Sequence, residues 1–178
     1  MPDVKFLAVL PNNANASDCV TKLTISGTLL QQPQQFSVNF VNSPVCTDNI
    51  TYHFKVVIPT QTIIENYKRN GEWSSLQQEH YLNIFDGTGG DSDKNLTQSF
   101  ASIMNEIDEA FQLSSTESTF RLEFTFDYDN STMIVYQVRE TGHNFISKYE
   151  TLFSLSEIQA IQVWGDVQKV NQFALSYD

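Results

Sequence analysis

Cysteine is scarce in this chain: Cys19 and Cys46 are the only two in 178 residues. Two cannot build the disulfide framework of a small secreted scaffold. They read either as idle thiols or, should the chain be secreted, as a single Cys19–Cys46 bridge. Histidine is nearly as rare, with His53, His80 and His143. Neither set has the spacing of a metal site. Seven glycines and five prolines are too few for a collagen-like or low-complexity chain. Gly87, Gly89 and Gly90 cluster, but lack the preceding buried strand and following Lys of a phosphate-binding loop. There is no GxSxG nucleophile motif, and no carboxylate pair stands out for hydrolysis. Apolar runs fall well short of the roughly 20 residues needed to cross a bilayer. The opening Met1-Pro2-Asp3-Val4-Lys5-Phe6-Leu7 has no basic lead, so it reads as a first strand rather than a signal peptide. Basic residues are few as well, 10 against 21 acidic, for a net charge of −11. A nucleic-acid backbone or an anionic membrane surface would be repelled.

What is present is the balance of a globular chain, 40% apolar and 17% charged. Thirteen Phe and seven Tyr favour extended, pleated structure. Val20–Leu30, Gln35–Phe40 and Thr51–Ile58 read as short strands. Phe120–Phe126 is the clearest: Phe120, Leu122, Phe124 and Phe126 share one face, and Arg121, Glu123 and Thr125 the other. Thr132–Arg139 and Asn144–Tyr149 flank a Gly-containing gap that suits a hairpin. Ile158–Val163 and Val167–Leu175 follow. Many short strands with frequent turns indicate an all-β, antiparallel β-sandwich, with two sheets about 10 Å apart. One segment differs. Leu96, Phe100, Ile103, Met104, Ile107, Ala110 and Phe111 recur every three or four residues, which predicts one amphipathic helix within an insertion at about 86–118. The three Asp residues before it lack the ligand spacing of a calcium loop. Four glycosylation triplets, starting at Asn15, Asn49, Asn95 and Asn130, are no surprise in an Asn-rich chain.

The stretch Ile50–Glu79 carries the functional signal. His53 lies on a strand. Ile63-Ile64-Glu65-Asn66 forms a second strand ending in a polar amide. Asn70-Gly71-Glu72-Trp73 is a turn followed by an indole, seven residues after Asn66. This resembles the galectin carbohydrate-recognition domain, in which H-x-N-x-R on one strand precedes an Asn on the next and then W-x-x-E-x-R. The flanks Leu23–Gly27, Phe36–Phe40 and Ile158–Val167 resemble the family in the same order. The likeness covers about 20–80 and 119–175. It implies a galectin/concanavalin-like jelly roll spanning 1–178 as a single domain with the helix inserted. It also implies a non-enzymatic lectin with no cofactor and no metal. The partner implied is a glycan or glycoconjugate, and the location cytoplasmic, with export that needs no signal peptide open to it. Homodimerisation through sheet edges is left open.

The chemistry of such a motif is direct. A sugar offers C–H groups on one face and hydroxyls around its rim. A Trp ring provides an apolar platform, and His, Asn and charged side chains exchange hydrogen bonds with the rim. The expected carbohydrate-binding residues here are His53, Lys55, Asn66, Trp73 and Gln78. Four of the family's positions are altered: Lys55 replaces Asn, Val57 replaces Arg, Leu76 replaces Glu and Gln78 replaces the last Arg. Val57 and Leu76 cannot replace a charged hydrogen bond, and Lys55 donates without accepting. The expectation is therefore altered or weakened β-galactoside specificity. The alternative is a protein–protein interaction module that keeps the fold without the sugar. Read alone, Asn66 could also cap a turn, His53 could be a satisfied strand histidine, and Trp164, after an alternating apolar strand, reads as structural.

Overall fold

The computed structural model describes residues 2–11, 19–81 and 118–177. Alternating apolar residues make twelve strands among them. They are β1 (Val4–Val9), β2 (Val20–Leu29), β3 (Gln35–Val41), β4 (Ile50–Val57), β5 (Thr62–Arg69) and β6 (Glu72–Trp73). The rest are β7 (Gln78–Tyr81), β8 (Thr119–Asp127), β9 (Thr132–Arg139), β10 (Gly142–Glu150), β11 (Ala160–Gly165) and β12 (Val167–Tyr177). All pairings are antiparallel. One sheet runs β1-β11-β3-β4-β5, with β6 and β7 sharing the outer edge of β5. The other runs β10-β9-β8-β2-β12.

The two sheets close on an aromatic core. Phe36, Val38 and Phe40 of β3 and Tyr52, Phe54 and Val56 of β4 face Leu23 and Ile25 of β2 and Phe120, Leu122 and Phe124 of β8. Phe36 stacks on Phe120 with centroids 4.4 Å apart, and Phe54 meets Phe124 edge-on at 5.4 Å. Such ring pairs add about 0.5–1.5 kcal/mol each beyond the area they bury. Phe6 and Phe173, 5.2 Å apart, pack where β1 lies near β12.

The expected strands recur with small shifts. The strand expected from Ile158 begins instead at Ala160. The preceding Leu155–Glu157 winds into a 3-10 turn, closed by reciprocal bonds between Ser154 and Glu157. Cys19 and Cys46 are not joined in a disulfide. The amphipathic helix of the 86–118 insertion, and the Asp-containing loop before it, lie outside the described residues. Among the described residues no helix is long and apolar enough to cross a membrane, and no acidic, His or Cys cluster could hold a metal ion.

The same alternation that fills the core directs a second set of residues away from it. Ser37 and Asn39 on β3, His53 and Lys55 on β4, and Gln162 and Trp164 on β11 all point to the far side of the larger sheet. That face carries the site.

Candidate carbohydrate-binding site

Strand register assembles the site in rungs. Gln162, Asn39, His53 and Asn66 stand side by side across β11, β3, β4 and β5. One rung on, Trp164, Ser37, Lys55 and Ile64 align in the same way. Cross-strand neighbours sit about 4.5–5.5 Å apart, close enough for one small ligand to touch several. The face forms a cleft of about 560 Å³ whose walls include Ser37, His53, Lys55, Asn66, Trp73 and Trp164.

A two-residue turn delivers Trp73. Asn70 and Gly71 both have positive φ, 52° and 81°, the geometry of a tight hairpin that Asn-Gly adopts readily. The backbone N–H of Gly71 donates to the Asp48 carbonyl at 2.9 Å, and that of Asn70 to Asn49 Oδ1 at 3.0 Å. The hairpin sets Trp73 opposite Lys68. The Lys68 ammonium stands 5.2 Å from the indole centroid, a cation–π contact. The indole remains 43% exposed.

His53 lies between two indoles, its ring centroid 4.5 Å from that of Trp73 and 5.9 Å from that of Trp164. Its Nδ1 is 2.5 Å from Asn39 Oδ1. Asn39 Nδ2 donates to Ser37 Oγ at 2.9 Å and to the Gln162 carbonyl at 3.3 Å. A carbonyl only accepts, so the amide can face one way only and its oxygen meets the imidazole. This network assigns the proton to Nδ1 and leaves Nε2 an acceptor. Among the described residues Nε2 has no hydrogen-bond partner and no buried side-chain polar atom is without one, so Nε2 opens on the cleft. Burial, reinforced by the Lys55 and Lys68 charges, pulls the imidazole from its usual 6.5 down to about 3. The ring is therefore neutral near pH 7.

The remaining expected residues divide. Lys55 is half-buried and lines the cleft. Asn66 lines it too, but its amide is engaged within the protein. Nδ2 donates to the Ser74 carbonyl at 3.1 Å, and Oδ1 accepts from the Tyr67 backbone N–H at 2.9 Å. Gln78 is not among the lining residues; it pairs with Glu65, whose side chain points into the core, and Gln77 reaches the cleft instead. Gln77 Nε2 donates to Glu79 Oε1 at 2.9 Å. Leu76 is exposed in the connection between β6 and β7.

Besides Gln77, three contributors are not among the expected residues. Trp164 walls the cleft, resting on Val41, Ile50 and Ala160 and donating from Nε1 to Gln162 Oε1 at 2.7 Å. Its signal was phase: Ile161 and Val163 take the core, so Gln162 and Trp164 must take the other face. Asn39, in phase with Ser37, orients His53. Gly165, with φ of +99°, lies at the rim. A Cβ there would meet the Gln35 carbonyl oxygen at 2.6 Å, so the close approach of β3 to this corner requires glycine.

No curated protein sequence matches the chain. The structure of sheep galectin-11, in complex with glycerol, superposes with a TM-score of 0.64 at 13% identity, covering 99% of this chain and 99% of that one. Caenorhabditis elegans galectin LEC-6 superposes with a TM-score of 0.58 at 14% identity, covering 96% and 95%. At these identities the likeness speaks for the fold. The sequence model of the galactoside-binding lectins matches residues 5–174, and the chain belongs to that family.

Proposed function

We propose that this chain is a single-domain, non-enzymatic lectin that seats a saccharide in the cleft on Trp73 and binds simple β-galactosides weakly or not at all. The observation that supports it is an indole 43% exposed beside a buried, neutral His53 on a concave strand face. The ring offers a platform to sugar C–H groups, and His53 Nε2 accepts from a hydroxyl. Lys55 and Gln77 supply donors at the rim. Weakness follows from what is missing. Val57 and Leu76 stand where the resemblance expects charged groups. A hydrogen bond to a charged group contributes about 1.5–3 kcal/mol, and a millimolar ligand is held by only about 4 kcal/mol in all. Cytoplasmic residence and a glycoconjugate partner belong to the same reading.

A glycan array read against the Trp73→Ala variant tests the lectin assignment: reproducible hits that the variant loses are expected. Lactose titrated against Trp fluorescence tests the weakness, and micromolar affinity would refute it. A second reading, an interaction module without sugar binding, draws support from Asn66, whose amide is already partnered on both atoms. Silence across the array would favour it.

A further inference from the structure

We propose that the cleft prefers a saccharide bearing an anionic substituent, a sulfate ester or a carboxylate, with Lys55 as the group that selects it. This rests on the lectin reading above and names the ligand class of the same site.

The observations concern charge and donor chemistry. Lys55 is placed by register between Ser37 and Ile64, one rung from His53. Among the described residues neither Lys55 nor Lys68 forms an ion pair; Lys5 and Lys22 do. Of the acidic groups nearby, Asp3 at the rim is 3.3 Å from Lys5, Glu79 accepts from Gln77, Asp166 accepts from the Gln34 and Gln35 backbone N–H groups, and Glu72 is exposed at the turn before Trp73. In a chain whose net charge is −11, Lys68 thus stands over the indole and Lys55 lines the same cleft, neither with a carboxylate partner among the described residues. Their field reaches into the site, because both contribute to keeping His53 neutral. The repulsion expected from the overall charge is screened beyond about 10 Å at ordinary salt, so the local sign governs a ligand already in the cleft.

Donor chemistry sharpens the choice. A sugar hydroxyl both donates and accepts, and an amide can answer both ways. Lys55 has three donors and no acceptor. Its best counterpart is a group made only of acceptors, and a charge-assisted bond to an anionic oxygen is about twice as strong as a neutral one. His53 Nε2, an acceptor, is left for a neighbouring hydroxyl. One ligand satisfies both when a hydroxyl and an anionic substituent lie on the same sugar edge over Trp73.

The test is calorimetric titration of the full chain with a neutral disaccharide that scores on the array, its monosulfated forms and its carboxylated forms. If no neutral sugar scores, lactose and its derivatives serve. The expected result is a preference of about tenfold for an anionic form over its neutral parent, shrinking as salt rises. Lys55→Gln should reduce that ratio to below about threefold, and Lys55→Arg should retain it. Thermal unfolding of both variants checks that they fold. A preference confined to sulfated or to carboxylated ligands identifies the source of the charge, and either supports the proposal. Equal binding of neutral and anionic forms, or a preference that survives Lys55→Gln, overturns it while leaving the lectin reading in place. No binding by any of the three classes overturns both.

Discussion

Strand β5 has two polar sites on opposite faces, one residue apart, and they are built to opposite ends. Inward, the Glu65 carboxylate is fully buried. It accepts from the Tyr52 hydroxyl of β4, from Ser147 Oγ of β10 at 2.9 Å and from His80 Nε2 of β7 at 2.6 Å. Outward, Asn66 stands beside His53 and Trp73, where an acceptor and much of an indole face the cleft. The inner group is closed: both its oxygens are engaged, and its partners come from both sheets. Burial and the charge of Glu65 push the Tyr52 phenol well above its usual range, so it remains a donor. A closed network fixes geometry; an open one leaves hydrogen-bonding capacity for a ligand. The inner set therefore ties β10 to the edge that carries β6 and β7, and so holds the wall on which Trp73 sits.

The largest effect follows from opening the closed side. Glu65→Ala leaves the Tyr52 and Ser147 hydroxyls and His80 without their acceptor. It should cost about 3–5 kcal/mol in denaturant unfolding. Trp73→Ala, on an exposed two-residue strand, should cost about 1 kcal/mol or less. Similar losses for the two variants would mean that the inner network does not hold the fold together.

An intermediate effect comes from acid. Between pH 6.5 and about 3 the unfolded chain protonates His53 while the native state does not. Unfolding is then favoured as pH falls, because the unfolded state binds the extra proton. This stability is fully present above pH 6.5 and declines by at most about 1.4 kcal/mol per unit below it. Comparison of unfolding at pH 6.5, 5 and 4 isolates the contribution: wild type should lose stability faster than His53→Gln. Parallel decline in the two proteins would show that the imidazole protonates in place.

How far these features could be read beforehand depended on whether they are local. Phe120, Leu122, Phe124 and Phe126 announce β8 because a strand with one buried face must alternate. His53, Asn66 and Trp73 were legible through spacing, since β4, β5 and the Asn70-Gly71 hairpin are consecutive. Gln77 was not. The W-x-x-E-x-R spacing sets Trp73 and Gln78 five residues apart, which strand alternation puts on opposite faces, whereas Gln77, four from Trp73, shares its phase. β6 and β7 are separate pieces on the edge of β5, and there Gln78 stands opposite the inward Glu65. Local phase puts Asn39 and Trp164 on the outward face, but their place beside His53 follows only from the β11-β3-β4 register, which no local pattern states. The Glu65 network was out of reach, because Ser147 lies 82 residues away in the chain.

Asn66 blurs the contrast between the two faces, and it gives the smallest expected effect. It faces the cleft, yet its amide is closed in the manner of Glu65, holding the Ser74 carbonyl where β6 ends. Asn66→Ala removes two neutral hydrogen bonds at the edge of the sheet and should cost about 1–2 kcal/mol. Asn66→Asp keeps an acceptor for the Tyr67 N–H but sets an acceptor-only group against the Ser74 carbonyl, and should cost at least as much. Trp fluorescence of the free proteins then separates two roles. If Asn66 positions the β6–β7 connection, both variants change the Trp73 environment without any sugar present. If it acts only on the ligand, the free spectra stay as in wild type and the change appears on titration. The bonds to Ser74 and Tyr67 favour the first outcome, which would move Asn66 from the open set of this face to the closed one.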